Sequence, residues 1–330
     1  MRAPGFWDLP PRRFSALRFL LAPLGWIYGR ATKARVAKPS KFRADVPVIC
    51  IGNISAGGTG KTPTTIALIQ HLQARGRTPH VISRGYGGSN TELVNVDERT
   101  HPASLVGDEP LLLAAFAPTW VCPDRSRAAQ AAQEAGADVI LMDDGFQNPD
   151  LHKDATLIVS DAKRGFGNMR CIPAGPLREP VNAGMARGDL VLTIGAVEDQ
   201  QRFDTHWQDT VTLPRAKGRL TPLQTGMDWS ETPLLAFAGI GYPEKFFATL
   251  RAQGATLLQT HALDDHQPLT TSLLARLEAD ARRLGAQLVT TEKDAVRLPL
   301  DYRRHVLTLP VRLELEDWGP VDQLLDRVLT

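Results

Sequence analysis

Cysteine is scarce in this sequence: Cys50, Cys122 and Cys171 are the only three among 330 residues, far apart and without a CxxC pair. They can build neither a disulfide framework nor a thiolate zinc site, and they read as reduced, packed thiols of a cytosolic chain. No apolar run reaches the ~20 uninterrupted residues that a spanning helix needs. No small-residue cleavage site follows the N-terminal apolar stretch, which argues against a removed signal peptide. Internal repeats and low-complexity tracts are missing too. Nor does one sign of charge dominate, since the formal net charge is only +2. With 43% apolar and 22% charged residues, the chain has the make-up of a globular protein of one large or two modest domains.

The balanced charge hides an uneven distribution. Residues 1–45 carry ten basic side chains (Arg2, Arg12, Arg13, Arg18, Arg30, Lys33, Arg35, Lys38, Lys41 and Arg43) against Asp8 and Asp45, a net +8. The rest of the chain is therefore −6. Within the arm, "FSALRFLLAPLGWIYGRATKAR" is apolar but broken by Arg18, Pro23 and Gly25. Basic flanks with Trp26 and Tyr28 fit a helix lying among lipid headgroups, so an anionic membrane surface is the expected partner. A helix packed on the body is the alternative. Nucleic acid is the poorer partner, because the basic residues are interleaved with greasy ones.

From Val46 onward, apolar strand-like runs alternate with helical stretches. "VPVICIGN", "TPHVISRGYGG", "TWVCP", "ADVILMDDGFQ", "ATLIVSDA" and "GDLVLTIGA" are continuous rather than alternating, as expected of a parallel sheet covered on both faces. A polar region from Gln200 to Gly226 holds the strand-like pieces "DTVTLP" and "GRLTPLQ". A second, smaller α/β unit follows, with "TPLLAFAGIG" and "AQLVTTEKD" as strands, "RRHVLTLPVRLELE" as one closing strand and "GPVDQLLDRVL" as a terminal helix. The expected organisation is a basic N-terminal helix over 1–45, a first domain over 46–210 and a smaller one over 211–330, whose last helix could return to the first.

"ISAGGTGKTPTT", Ile54 to Thr65, lies between a strand and a helix, the setting of a phosphate-binding P-loop. Ser55, Ala56, Gly57, Gly58, Thr59, Gly60, Lys61 and Thr62 form the cradle. The glycine amides approach phosphate oxygens closely, Lys61 reaches the outer phosphates, and Thr62 offers a ligand to Mg²⁺. Ser55 stands where the usual cradle has its first glycine, which affects the turn into the loop more than its grip. Asp143 and Asp144 end "ADVILMDDGFQ", where a second metal-binding acid is expected. Asp108 and Glu109 in "VGDEP" open a helix, as capping acids do. His266 in "LDDHQPLT" is a lone histidine among loop acids. Arg84, Arg170 and Arg178 lie in glycine-rich loops, suited either to forked recognition of phosphate or to plain surface charge.

In combination, "GNISAGGTGKTP", "SRGYGG", "VGDEP", "DVILMDDGFQ", "CIPAGPLREP", "DDHQ" and "TTEKDAVRL" resemble the tetraacyldisaccharide 4'-kinase family, in that order and over nearly the whole chain. In that family the P-loop commonly lacks its first glycine. The resemblance implies a P-loop kinase that transfers the γ-phosphate of ATP to the 4'-hydroxyl of a tetraacylated glucosamine disaccharide 1-phosphate in lipid A biosynthesis. It implies peripheral attachment to the cytoplasmic face of the inner membrane. It also implies Asp108 as base with His266 as its partner, and Lys61, Thr62, Asp143 and Asp144 on nucleotide and Mg²⁺. Glu109 joins the metal set, and Arg84, Arg125, Arg178 and Asn168 join the substrate contacts. Two rivals share the P-loop: a membrane-localised ATPase switch without lipid chemistry, and a soluble kinase of small metabolites. The switch would not need "VGDEP" and "DDHQ" together, and the small-metabolite kinase would pack its N-terminal helix internally.

Overall fold

The computed structural model describes residues 4–11 and 13–329; Arg2 and Arg12 of the basic arm lie outside the described residues. Nine strands form one sheet: β1 (Val48–Gly52), β2 (Pro79–Ser83), β3 (Val94–Asn95), β4 (Thr119–Val121), β5 (Val139–Asp143), β6 (Ala155–Asp161), β7 (Leu190–Ile194), β8 (Arg215–Pro222) and β13 (Val311–Leu315). Their order is β13-β8-β7-β6-β1-β5-β2-β4-β3, parallel except where β13 and β3 pair at the two edges. Four further strands, β9 (Leu234–Ala238), β10 (Leu257–Ala262), β11 (Gln287–Thr291) and β12 (Val306–Leu309), make a separate parallel sheet ordered β10-β9-β11-β12.

The continuous apolar runs have the expected cause. In β1, Val48 and Cys50 enter one core cluster while Ile49 and Ile51 enter the cluster on the other face. In β9, Leu234, Ala236 and Ala238 face one core, and Leu235 and Phe237 the other. A strand buried on both faces has no polar side to show, so the alternation of an exposed sheet is missing. The fold class is thus α/β and mostly parallel, as expected.

Two sequence expectations fail. "RRHVLTLPVRLELE" is not one strand: β12 and β13 flank Pro310 and belong to different sheets. Proline donates no ladder hydrogen bond, and here the chain changes sheets at it. "DTVTLP" is not a strand, and the polar stretch before it is the helix Val197–Trp207. Its buried residues Gln200, Phe203 and Trp207 stand at i, i+3 and i+7, a helical stripe obscured by the polar residues around it. The terminal helix Gly319–Val328 puts Val321, Leu324 and Leu325 into the core of the large sheet.

Helix α1 (Ala16–Val36) leans on the body through a small-residue stripe, Gly25, Gly29 and Thr32. A Cβ on Gly25 would sit 2.7 Å from the Cys171 carbonyl oxygen, so only glycine permits this approach. The opposite face leaves Leu17, Leu20, Leu24 and Ile27 exposed. Among the described residues, no helix is long and apolar enough to cross a membrane.

Candidate active site

The P-loop emerges from the carboxyl end of β1, at the centre of the large sheet. In the parallel register Ile51 pairs with Asp143 at the end of β5, so the acid pair stands beside the loop. The helix α2 (Lys61–Ala74) starts on the loop and aims its N-terminal amides at the same point. Gly57 and Gly60 have φ of 102° and 96°, a region that favours glycine. Ser55 is not strained in this way. It bridges to Leu177, while Ala56 N–H donates to the Pro176 carbonyl at 2.7 Å and Arg178 N–H to the Ile54 carbonyl at 2.7 Å. The loop is therefore entered through extended backbone, which explains why serine serves at the first position. The same pairing draws Arg178 to the cradle.

Arg178 grips Asp144 with both guanidinium nitrogens, at 2.7 and 3.2 Å, and Lys61 Nζ lies 3.7 Å from the same carboxylate. Burial opposes the charge of Asp144, but Lys61 and Arg178 overcome it and hold its pKa down at about 2. Asp143 is the reverse case. Burial first, and then the charges of Glu109 and Asp144, push its pKa up to about 7. Its Oδ2 is buried without a hydrogen-bond partner. A buried carboxylate oxygen of this kind is where a cation fits. Among the described residues, no three carboxylate, imidazole or thiolate groups close on one point.

Asp108 opens the helix Asp108–Leu113 and is 3% exposed. Its Oδ1 accepts the Glu109 N–H at 2.9 Å and its Oδ2 lies 2.9 Å from His266 Nδ1. Burial works against its ionisation, yet the His266 hydrogen bond and the charges of Lys293 and Arg297 prevail and lower its pKa from the ordinary 3.8. His266 arrives from the loop after β10 with φ of 57°, its N–H donating to the Gly239 carbonyl. Gly239 N–H in turn donates to the buried Asp294. The dyad thus spans the two sheets, joining residues 158 positions apart.

A cleft of about 620 Å³ runs between the sheets. It is lined by Ala56, Gly57, Gly58, Thr59, Gly60, Lys61 and Thr62 on one side, with Glu109, Asp144, Arg178 and His266 around them. Ser55, Asp108 and Asp143 stand just behind this lining. Arg125 does not line it: the guanidinium is buried and donates to the carbonyls of Ile82 and Asp143. Asn168, also buried, holds the Phe6 and Ala174 carbonyls and the Arg170 N–H, tying the arm to the loop below it. Arg84 is exposed outside the cleft. Lys293, Tyr86 and Tyr242 line the cleft and were not assigned roles from the sequence. For Lys293 the signal was available, since "TTEKDAVRL" belongs to the ordered motif set, but the segment reads as the end of a strand, whereas Lys293 lies on the short helix Glu292–Ala295.

Comparison with known proteins agrees with this geometry. Residues 17–330 match the family model described as tetraacyldisaccharide-1-P 4'-kinase. The chain is 61% identical over 327 residues to the tetraacyldisaccharide 4'-kinase of Dinoroseobacter shibae, covering 99% of this chain and 97% of that one. It is 57% identical over 329 residues to the enzyme of the same name from a Jannaschia species, covering 100% and 99%. The crystal structure of LpxK from Aquifex aeolicus in complex with ATP superimposes with a TM-score of 0.74 at 24% identity, covering 95% of this chain and 100% of that one, so the whole fold is shared. With a P-loop lining one cleft, an acid pair and a carboxylate–imidazole dyad at its wall, and relatives matched over nearly their whole length, the chain belongs to the tetraacyldisaccharide-1-P 4'-kinase family.

Proposed function

We propose that the chain moves the γ-phosphate of ATP to the 4'-hydroxyl of tetraacyldisaccharide 1-phosphate, with Asp108 as the base. The observation that carries this reading is the Asp108–His266 contact of 2.9 Å across the cleft that the P-loop lines. The acceptor hydroxyl gives its proton to Asp108 as its oxygen bonds to the γ-phosphorus. The bond from that phosphorus to the bridging oxygen breaks, and ADP leaves with the electron pair. Phosphoryl transfer needs positioning and neutralised charge more than covalent help. Asp108 is held ionised, His266 orients it, and Lys61 with the glycine amides holds the outer phosphates.

Thr62, Asp143, Asp144 and Glu109 are the groups that would hold Mg²⁺, directly or through water, and the ion would offset phosphate charge when bound. Arg178, beside Asp144 at the cradle, and Arg84, exposed outside the cleft, would meet anionic groups of nucleotide or lipid. The chain works as an arm, a P-loop unit and a smaller unit that closes over the nucleotide and excludes water. The exposed stripe of α1 and the basic residues beside it support attachment to an anionic bilayer, which in this reading is the cytoplasmic face of the inner membrane.

The test is transfer of label from γ-labelled ATP to purified tetraacyldisaccharide 1-phosphate, by the wild type and by Asp108→Ala. Labelled lipid from the wild type and about 10²-fold less or lower from the variant is expected. ATP hydrolysis without labelled lipid would favour the ATPase switch instead.

A further inference from the structure

The motif "TTEKDAVRL" contributes a residue that the mechanism above leaves unused. Lys293 sits on the short helix Glu292–Ala295 after β11, on the side of the cleft opposite the P-loop. Its Nζ lies 3.1 Å from Glu109 Oε1 and 3.3 Å from His266 Nε2. Adjacent residues of the large unit, Asp108 and Glu109, are thus met by adjacent partners from the small one. The other groups facing this cluster are Asp265, whose Oδ1 is 3.8 Å from His266 Nε2 and 3.9 Å from Lys293 Nζ, Arg297, whose Nε is 3.8 Å from Asp108 Oδ2, and the ring of Tyr86, edge-on to His266 at 5.5 Å. Neither Asp265 distance is short enough for a hydrogen bond.

We propose that Lys293 is a positioning residue for phosphoryl transfer, which fixes the tautomer of His266 and so assigns the base role to Asp108. The argument is one of donors and acceptors. A lysine ammonium has three donors and no acceptor, so the His266 nitrogen facing it presents a lone pair. With Nε2 accepting, the proton of the neutral imidazole is on Nδ1 and points at the Asp108 carboxylate. A one-way chain results: Lys293 donates to His266, and His266 donates to Asp108, while the same ammonium anchors Glu109. In this arrangement Nε2 is blocked from taking the acceptor hydroxyl proton, and that proton goes to Asp108. Because Lys293 and His266 both come from the smaller unit, the chain is complete only when the two units meet.

The proposal rests on the kinase reading above, and its test has a readout that needs no turnover. In proton–nitrogen NMR of histidine-labelled protein, the His266 signals are identified by their loss in His266→Ala. The wild type should show the proton on Nδ1. Lys293→Met, which keeps the stem and removes the donors, should lose that preference and lower kcat about 10²-fold, with KM for ATP within about 2-fold. Lys293→Arg should retain the tautomer and recover most of kcat. A wild-type proton on Nε2 would overturn the proposal even if every variant misfolded. So would a folded Lys293→Met with the wild-type tautomer and kcat, the result expected of a merely structural ion pair. A correct tautomer with no lipid phosphorylation would count against the kinase reading and not against this one.

Discussion

The most exposing perturbation of the site is Asp143→Asn, because it should stabilise the protein while disabling it. Asp143 is 1% exposed, and its Oδ1 has only the Thr65 hydroxyl, 3.4 Å away, while Oδ2 has no partner. Burial, then Glu109 and Asp144, push its pKa from 3.8 up to about 7. The unfolded chain therefore gives up this proton near pH 4, whereas the folded chain keeps it until about pH 7. Between those values the unfolded state binds fewer protons, so folding stability falls as pH rises and the loss is complete above pH 7. The roughly three-unit difference caps the loss at about 4 kcal/mol. Water entry and movement of Glu109 relieve part of it, leaving an expected gain for asparagine of ~1–3 kcal/mol at pH 8, on the order of 5 °C in melting temperature. Thermal melts without nucleotide or divalent cation, at pH 5 and pH 8, measure this directly. The advantage of Asp143→Asn should be larger at pH 8, while lipid phosphorylation drops by about 10²-fold or more because a proposed Mg²⁺ ligand is gone. A variant no more stable than the wild type at pH 8, or equally advantaged at both pH values, would refute the claim that burial and neighbouring charge disfavour an ionised Asp143.

Much of this layout was legible in the sequence because it is written in short-range signals. A strand buried on both faces has to be apolar throughout, and a phosphate loop has to carry its glycines consecutively. What was not legible depends on partners far along the chain. Arg125 is a substrate contact by resemblance, but the end of β5 is folded against it and takes its guanidinium through the Asp143 carbonyl. Asn168 reads as a substrate contact, yet its amide bonds to Phe6, which is 162 residues away. Glu109 reads as a helix-capping acid and Lys293 has no assigned role in the sequence, until the two sheets place them 3.1 Å apart. The bridge between Ser55 and Leu177 belongs to the same class, and it makes an apparent defect of the P-loop the element that delivers Arg178. Charged and polar side chains have many ways to be satisfied locally, so their roles emerge only with tertiary contact.

The two remaining predictions concern the dyad and the arm. His266→Ala should cut kcat by about 10²-fold with ATP affinity retained, and it should move the acid limb of kcat/KM upward. The sign follows from Asp108: burial raises its pKa, and the His266 hydrogen bond is the largest influence holding it down, so removing that bond makes protonation easier; an unmoved limb would show that Asp108 is not the group titrating. For the arm, Leu20 and Ile27 are 75% and 56% exposed on one stripe of α1, opposite Gly25 and Gly29. Replacing both with Asp should leave folding and turnover on a detergent-dispersed acceptor near the wild-type values. Each loss removes about 1.5–3 kcal/mol of apolar burial in a bilayer, and each added charge costs about 1 kcal/mol at an anionic surface. The sum is on the order of 5 kcal/mol, which is more than a 10³-fold change in partitioning. Flotation with anionic liposomes should therefore carry the wild type to the lipid layer and leave the double variant at the bottom. If both float equally, the stripe is not what holds the enzyme to lipid, and the glycolipid must be reached through another surface.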